Sequence, residues 1–118
     1  KFDSEGNELQ VFGVDVLQAP VNVWVDEARD ALFVVDWFAG AVRRFNLDTG
    51  EFEGDFIEGL ARAEGFLFGR DNAIYLCDWE ENAIKEYDLT SGEFRRVLQI
   101  EGLNRPNSLV YGPNVDPN

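Results

Sequence analysis

Apolar residues in this chain fall in short runs rich in Val, Ile, Leu, Phe and Trp, each closed by Gly, Asp, Asn or Thr at a spacing of about ten residues. That rhythm is strand-like. It predicts strands over Val21–Val25, Ala31–Asp36, Ala41–Leu47 and Glu51–Phe56, then over Gly65–Phe68, Ala73–Asp78, Ala83–Leu89 and Glu93–Leu98. The third and fourth strands of each set are joined by Asp48-Thr49-Gly50 or Thr90-Ser91-Gly92, where the glycine supplies the left-handed conformation that a three-residue hairpin loop needs. In the second strand of each set, Leu32 to Val35 and Ile74 to Cys77 are apolar at consecutive positions. Both faces of those strands must therefore be buried, as where sheets stack on either side. Leu60 to Glu64 could pass for a helical turn, but its counterparts elsewhere contain Pro20 and Pro106, so it reads as a loop leading into a strand. Almost no helix is expected.

The two sets are copies of one unit. Residues 31–56 lie over residues 73–98 without a gap at an offset of 42, with identities at Ala31/Ala73, Asp36/Asp78, Trp37/Trp79, Ala41/Ala83, Leu47/Leu89, Gly50/Gly92, Glu51/Glu93 and Phe52/Phe94. Other apolar positions exchange for similar ones, such as Phe33/Tyr75 and Phe45/Tyr87. Residues 20–30 match 63–72 and then 105–114, and a weaker echo places residues 1–12 over the stretch from Phe45 to Phe56. The chain divides into the end of one unit (1–13), two full units (17–58 and 59–101) and the start of another (102–118).

A four-stranded antiparallel unit of about 42 residues in tandem has the period of a β-propeller blade. The units resemble NHL-type blades and those of the regucalcin and gluconolactonase (senescence-marker-like) family, on PVNVWVDEARDALFVVDW, AEGFLFGRDNAIYLCDW and RPNSLVYGPN. The resemblance implies an all-β propeller fold and leaves function open, because such propellers host hydrolases, lyases, ligand binders and docking platforms. Propellers close with about four to eight blades, so one chain makes an incomplete ring. Either identical chains complete it, with Leu103–Tyr111 of one joining Lys1–Phe12 of the next and two chains giving about six blades, or these residues are a piece of a longer propeller. The proline and scarce apolar residues of Val115-Asp116-Pro117-Asn118 make a poor strand for a shared blade and favour the second reading.

Asn22, Glu64 and Asn107 occupy the position just before the apolar part of the first strand in three successive units. In a propeller that strand lines the central channel, so these oxygen-bearing side chains converge on the axis, where they would suit a hard cation such as calcium. The family resemblance implies a metal there, held by a Glu in an "EG" motif and an Asn in a "PN" motif, which Glu64-Gly65 and Pro106-Asn107 resemble. It also implies further acidic ligands and a catalytic Asp from blades outside this sequence, and Asn22 sits in an unmatched "VN". The plainer reading is that the three bond to neighbouring loops. Asp36 and Asp78 could form an acid and base pair, but an Asp ending a strand more simply accepts from the amides of the following turn. Trp37 and Trp79 could stack on a sugar ring, or pack over the next blade.

Composition narrows the function classes. The 118 residues (13.4 kDa) are 45% hydrophobic and 14% aromatic, enough for a core. A net charge of −13 repels nucleic acid and anionic membranes and suits a solvated or salt-adapted exterior. With no histidine, imidazole-dependent nucleophiles and most zinc sites are excluded. The lone Cys77 lies in a two-faced apolar strand and reads as a buried small hydrophobe. No apolar run is long enough to span a bilayer, and the sequence opens without a charged-then-apolar leader and contains no methionine, as expected of a soluble, mature or trimmed chain. Three functions follow: a non-enzymatic module for association with other protein chains, needing no cofactor; a calcium-dependent hydrolase or lyase of the gluconolactonase kind; and carbohydrate binding at Trp37 and Trp79.

Overall fold

The computed structural model describes residues 1–98 and 102–109. Eight strands follow in chain order: β1 (Pro20–Asp26), β2 (Ala31–Asp36), β3 (Ala41–Asn46), β4 (Phe52–Ile57), β5 (Ala63–Phe68), β6 (Ala73–Asp78), β7 (Ala83–Asp88) and β8 (Phe94–Leu98). They form two antiparallel four-stranded meanders, β1-β2-β3-β4 and β5-β6-β7-β8. Each strand lies where the apolar rhythm puts it, to within one or two residues. The loop expected over Leu60 to Glu64 gives way to β5 at Ala63. The sole helical element among the described residues is a 3-10 turn, Glu27–Arg29, capped by the Asp26 carboxylate and ended by Asp30 at φ 52°.

The hairpin loops repeat bond for bond. Asn46 Oδ1 accepts from the amides of Asp48 and Thr49, and Asp88 Oδ1 from those of Thr90 and Ser91. Gly50 and Gly92, at φ 79° and 77°, then donate back to the carbonyls of Asn46 and Asp88. A short polar side chain opens each loop and a glycine closes it.

Register decides which residues meet across the sheets. Trp24 pairs with Phe33, and Val35 with Val42, so these side chains share one face of the first sheet. That face packs on Ile74, Leu76 and Tyr87 of the second sheet in one continuous core. Trp24 stacks on Phe33 (centroids 4.8 Å apart, planes 19° apart) and touches Phe66 at 4.9 Å and Phe68 at 5.8 Å. Burying each such side chain contributes about 1.5–3 kcal/mol. Arg29 fastens the same interface: its guanidinium lies 5.1 Å from the Phe33 ring centre and donates to the carbonyls of Leu89 and Thr90 at 2.9 Å each.

One ion pair reverses sign between the sheets. Arg44 on β3 bonds Glu53 on β4 at 3.0 Å; at the matching positions Glu86 on β7 bonds Arg95 on β8 at 3.1 Å.

Residues 1–10 make a tight hairpin with a single bridge, Phe2 to Glu8, where strands of a preceding unit were expected. Its turn is headed by Asp3, whose Oδ1 accepts from Glu5 and Asn7. Phe12 then meets Phe45 edge-on at 6.4 Å. No strand forms within residues 102–109, and the rest of the expected third unit, 110–118, lies outside the described residues.

The stacked interface predicts a coupling. Trp24→Ala and Phe33→Ala should each cost about 3–5 kcal/mol, and a double-mutant cycle followed by urea unfolding should show them non-additive by about 1 kcal/mol. Strict additivity would contradict the stacking.

Candidate functional site

At one end of each sheet a fully buried aspartate gathers backbone amides. Asp36 accepts from Gln18 and Ala19 at 2.9 Å and from Ala39 at 3.3 Å, with Arg43 at 3.5 Å. Asp78 accepts from Ala61 and Arg62 at 2.8 Å and from Lys85 Nζ at 2.9 Å. Most of these amides belong to the loop that leads into the sheet's first strand, not to the turn that follows the aspartate, as the sequence suggested. The carboxylate thus ties the start of the first strand to the end of the second. Burial alone would raise both carboxyls, but the donated bonds and the cations outweigh it and hold them below the ordinary aspartate value. Every donor gathered on either carboxylate comes from its own sheet or from the loops flanking that sheet's first two strands.

Trp37 and Trp79 lie 5.6 Å apart with planes inclined at 50°, so each packs on its counterpart in the other sheet. The Arg105 guanidinium sits 4.6 Å over the Trp79 ring. Beside them Phe38 is exposed, 5.5 Å from the Arg62 guanidinium.

The three first-strand residues come together in sequence order. Asn22 Nδ2 donates to the Glu64 carbonyl at 3.3 Å, and Asn22 Oδ1 accepts from the Val23 amide. Gly65 lies so close to the next segment that a Cβ there would collide with the Asn107 carbonyl oxygen and sit 2.7 Å from Ser108 Cα. Glu64 is half-buried and Asn107 exposed. Among the described residues no group of three or more His, Cys, Asp or Glu side chains is placed to hold a metal. A calcium ion takes six to eight oxygens, and this set offers one carboxylate; alone it does not fit the ion.

No family model and no curated protein matches the chain. A solved structure described as "Crystal structure of Nidogen/Laminin Complex" superposes on 88% of it with a TM-score of 0.69 at 20% identity. The chain spans 39% of that neighbour's length. Such a likeness settles the fold. The chain is a run of β-propeller blades.

The blade arrangement exposes what sequence reading missed. On the second blade, the surface carrying Ile74 and Leu76 is covered by the first blade. The matching surface of the first blade is open along β1, where Val21, Val23 and Val25 are 41%, 51% and 51% exposed. Arg29, which clasps the two blades, also went unnoticed, because its matching position holds Asp71. Lys85 could have been found: it matches Arg43, and both face a buried aspartate. No helix among the described residues is long and apolar enough to cross a membrane.

Two outcomes follow. The depressed Asp36 and Asp78 carboxyls give stability that is complete above the ordinary aspartate value of 3.8 and lost as pH falls through their lower folded values. Urea midpoints should hold steady down to that value and drop below it. Asp78→Asn should cost about 3–5 kcal/mol, because it breaks the buried pair with Lys85 and leaves that cation only the exposed Glu81, and should make that acid limb shallower; an unchanged acid limb would assign it to other groups. The Cys77 thiol, buried and beside Glu64, is pushed up to about 11. Thiol reagents at pH 8 should label it in urea and not in the native chain.

Proposed function

We infer that this chain is a non-enzymatic propeller module that works by associating with other protein chains or further blades. The observation that carries this reading is the exposed valine row of β1, whose matching positions on the second blade, Phe66 and Phe68, pack on Trp24 of the first. Contiguous apolar surface of this kind marks association sites. The solved neighbour is itself described as part of a complex of nidogen with laminin, which supports a propeller of this shape serving as a docking body. The blade motifs support the narrower resemblance to NHL-type and regucalcin-like repeats.

Light scattering over a wide dilution series tests the reading. The wild-type chain should associate, and Val23→Glu with Val25→Glu, both on solvent-facing positions, should abolish association while leaving the far-UV spectrum unchanged. A wild-type chain that stays monomeric at every concentration and binds no apolar dye would overturn it.

The adjacency of Glu64-Gly65 and Asn107 supports a second reading, a calcium-dependent hydrolase or lyase of the gluconolactonase kind. In it the ion would polarise a carbonyl or activate water, and Glu64 and Asn107 would supply part of a ligand set completed by other blades. Calcium at 100 times Kd would then add about 2.7 kcal/mol, lost in Glu64→Gln. No change in melting temperature would count against it.

A further inference from the structure

The first blade meets the second in two places, and each has a counterpart on the other side of the first. At the outer edge, Phe56 of β4 lies against the loop glycine Gly92, where a Cβ would collide with the Phe56 carbonyl. The matching glycine, Gly50, is crowded in the same way by Gln10 and Phe12. Residues 1–10 also carry the hairpin pattern of the blades: the Gly6 amide, at φ 89°, donates to the Asp3 carbonyl as that of Gly50 does to Asn46. The N-terminal segment therefore stands where a preceding blade would have its two outer strands.

At the inner edge the two sides differ. On the second blade, Trp24 packs on Phe66 and Phe68, beside Ile74 and Leu89 of the same core. The positions that match these four are Val23, Val25, Leu32 and Leu47. With Phe12, Lys1 and Glu27 they line an open groove of about 500 Å³. Ile74 has no contact with solvent, whereas Leu32 is half-buried and Val23 is 51% exposed. The outer half of this face is already closed, since Phe12 lies on Phe45, and both Phe45 and Val34 are buried. The groove thus coincides with the place that β1 and β2 would take one blade earlier.

We propose that this groove receives a β-hairpin of another polypeptide, with an aromatic side chain at the place Trp24 takes on the second blade, so that the hairpin and residues 1–12 complete one blade. The proposal rests on the association reading above and names its surface and the chemistry of the partner. A second copy cannot serve, because β1 and β2 of each copy are already paired in their own sheet and Trp24 is buried. The groove lining is apolar apart from Lys1 and Glu27 at its rim, so polar side chains inserted there would lose their water without finding partners. Strand alternation then sets the pattern of the partner: the aromatic and every second residue beside it are apolar and face the groove, while the residues between face away. In strand addition of this kind, pockets for alternate side chains provide the specificity.

The inner hairpin of the first blade supplies the probe. A synthetic peptide of residues 20–36, titrated calorimetrically into the full chain, should bind saturably at one site. Trp24→Ala in the peptide should weaken binding by about tenfold or more. Val25→Glu in the chain, at a position 51% exposed, should abolish binding with the far-UV spectrum unchanged. Phe38→Ser, an exposed position at the other end of the sheets, should leave binding intact. Binding that ignores Val25→Glu, or that is equal for the Trp24→Ala peptide, would overturn the proposal. Absence of binding would overturn it too; the broader association reading then stands if the chain still self-associates through Val23 and Val25, and falls if the chain stays monomeric.

Discussion

Everything in each blade depends on where its first strand starts, and a single buried carboxylate decides that. Asp36 and Asp78 have no contact with solvent, an arrangement that would be costly if any of their oxygens lacked donors. Two consecutive amides of the incoming loop, with Arg43 or Lys85 beside them, meet that demand. The loop can then take one path only, and the first strand is delivered in register against the second. The flanking tryptophan makes the link double: the amides of Trp37 and Trp79 donate to the carbonyls of Ala19 and Arg62 in the same two loops.

With the strands placed, period-two alternation does the rest. In a strand buried on both sides, odd and even positions serve different neighbours: Phe33 and Val35 face the second blade, whereas Leu32 and Val34 face away from it. A blade is thus a layer with two working surfaces. Its stability comes from neighbours more than from itself, which is the energetic signature of stacked repeats.

The fold was legible because strand period, loop glycines and the repeat all point the same way. Gly50 and Gly92 announce their hairpins, and the consecutive apolar residues of β2 and β6 announce stacking on both sides. The candidate sites were harder to read. Asp36-Trp37 and Asp78-Trp79 stand out in sequence, yet which amides the carboxylates collect depends on loops 16 to 18 residues upstream, a distance no local rule covers. Arg29 works through contacts 60 and 61 residues away and has no repeat partner to flag it. The gathering of Asn22, Glu64 and Asn107 followed from topology, but the Asn22 bond to the Glu64 carbonyl and the close approach of the Asn107 carbonyl to Gly65 are set by how the blades pack, which composition does not encode.

Tandem repeats carry a hazard: strands of equal length and similar sequence can exchange places. The reversed ion pair guards against it. Were β4 to settle on β7, Glu53 would confront Glu86; were β8 to settle on β3, Arg95 would confront Arg44. Each wrong pairing sets like charges together at a cross-strand site, where they destabilise, while each right pairing joins opposites. The pair therefore acts as a label of identity, telling two nearly interchangeable blades apart while they fold.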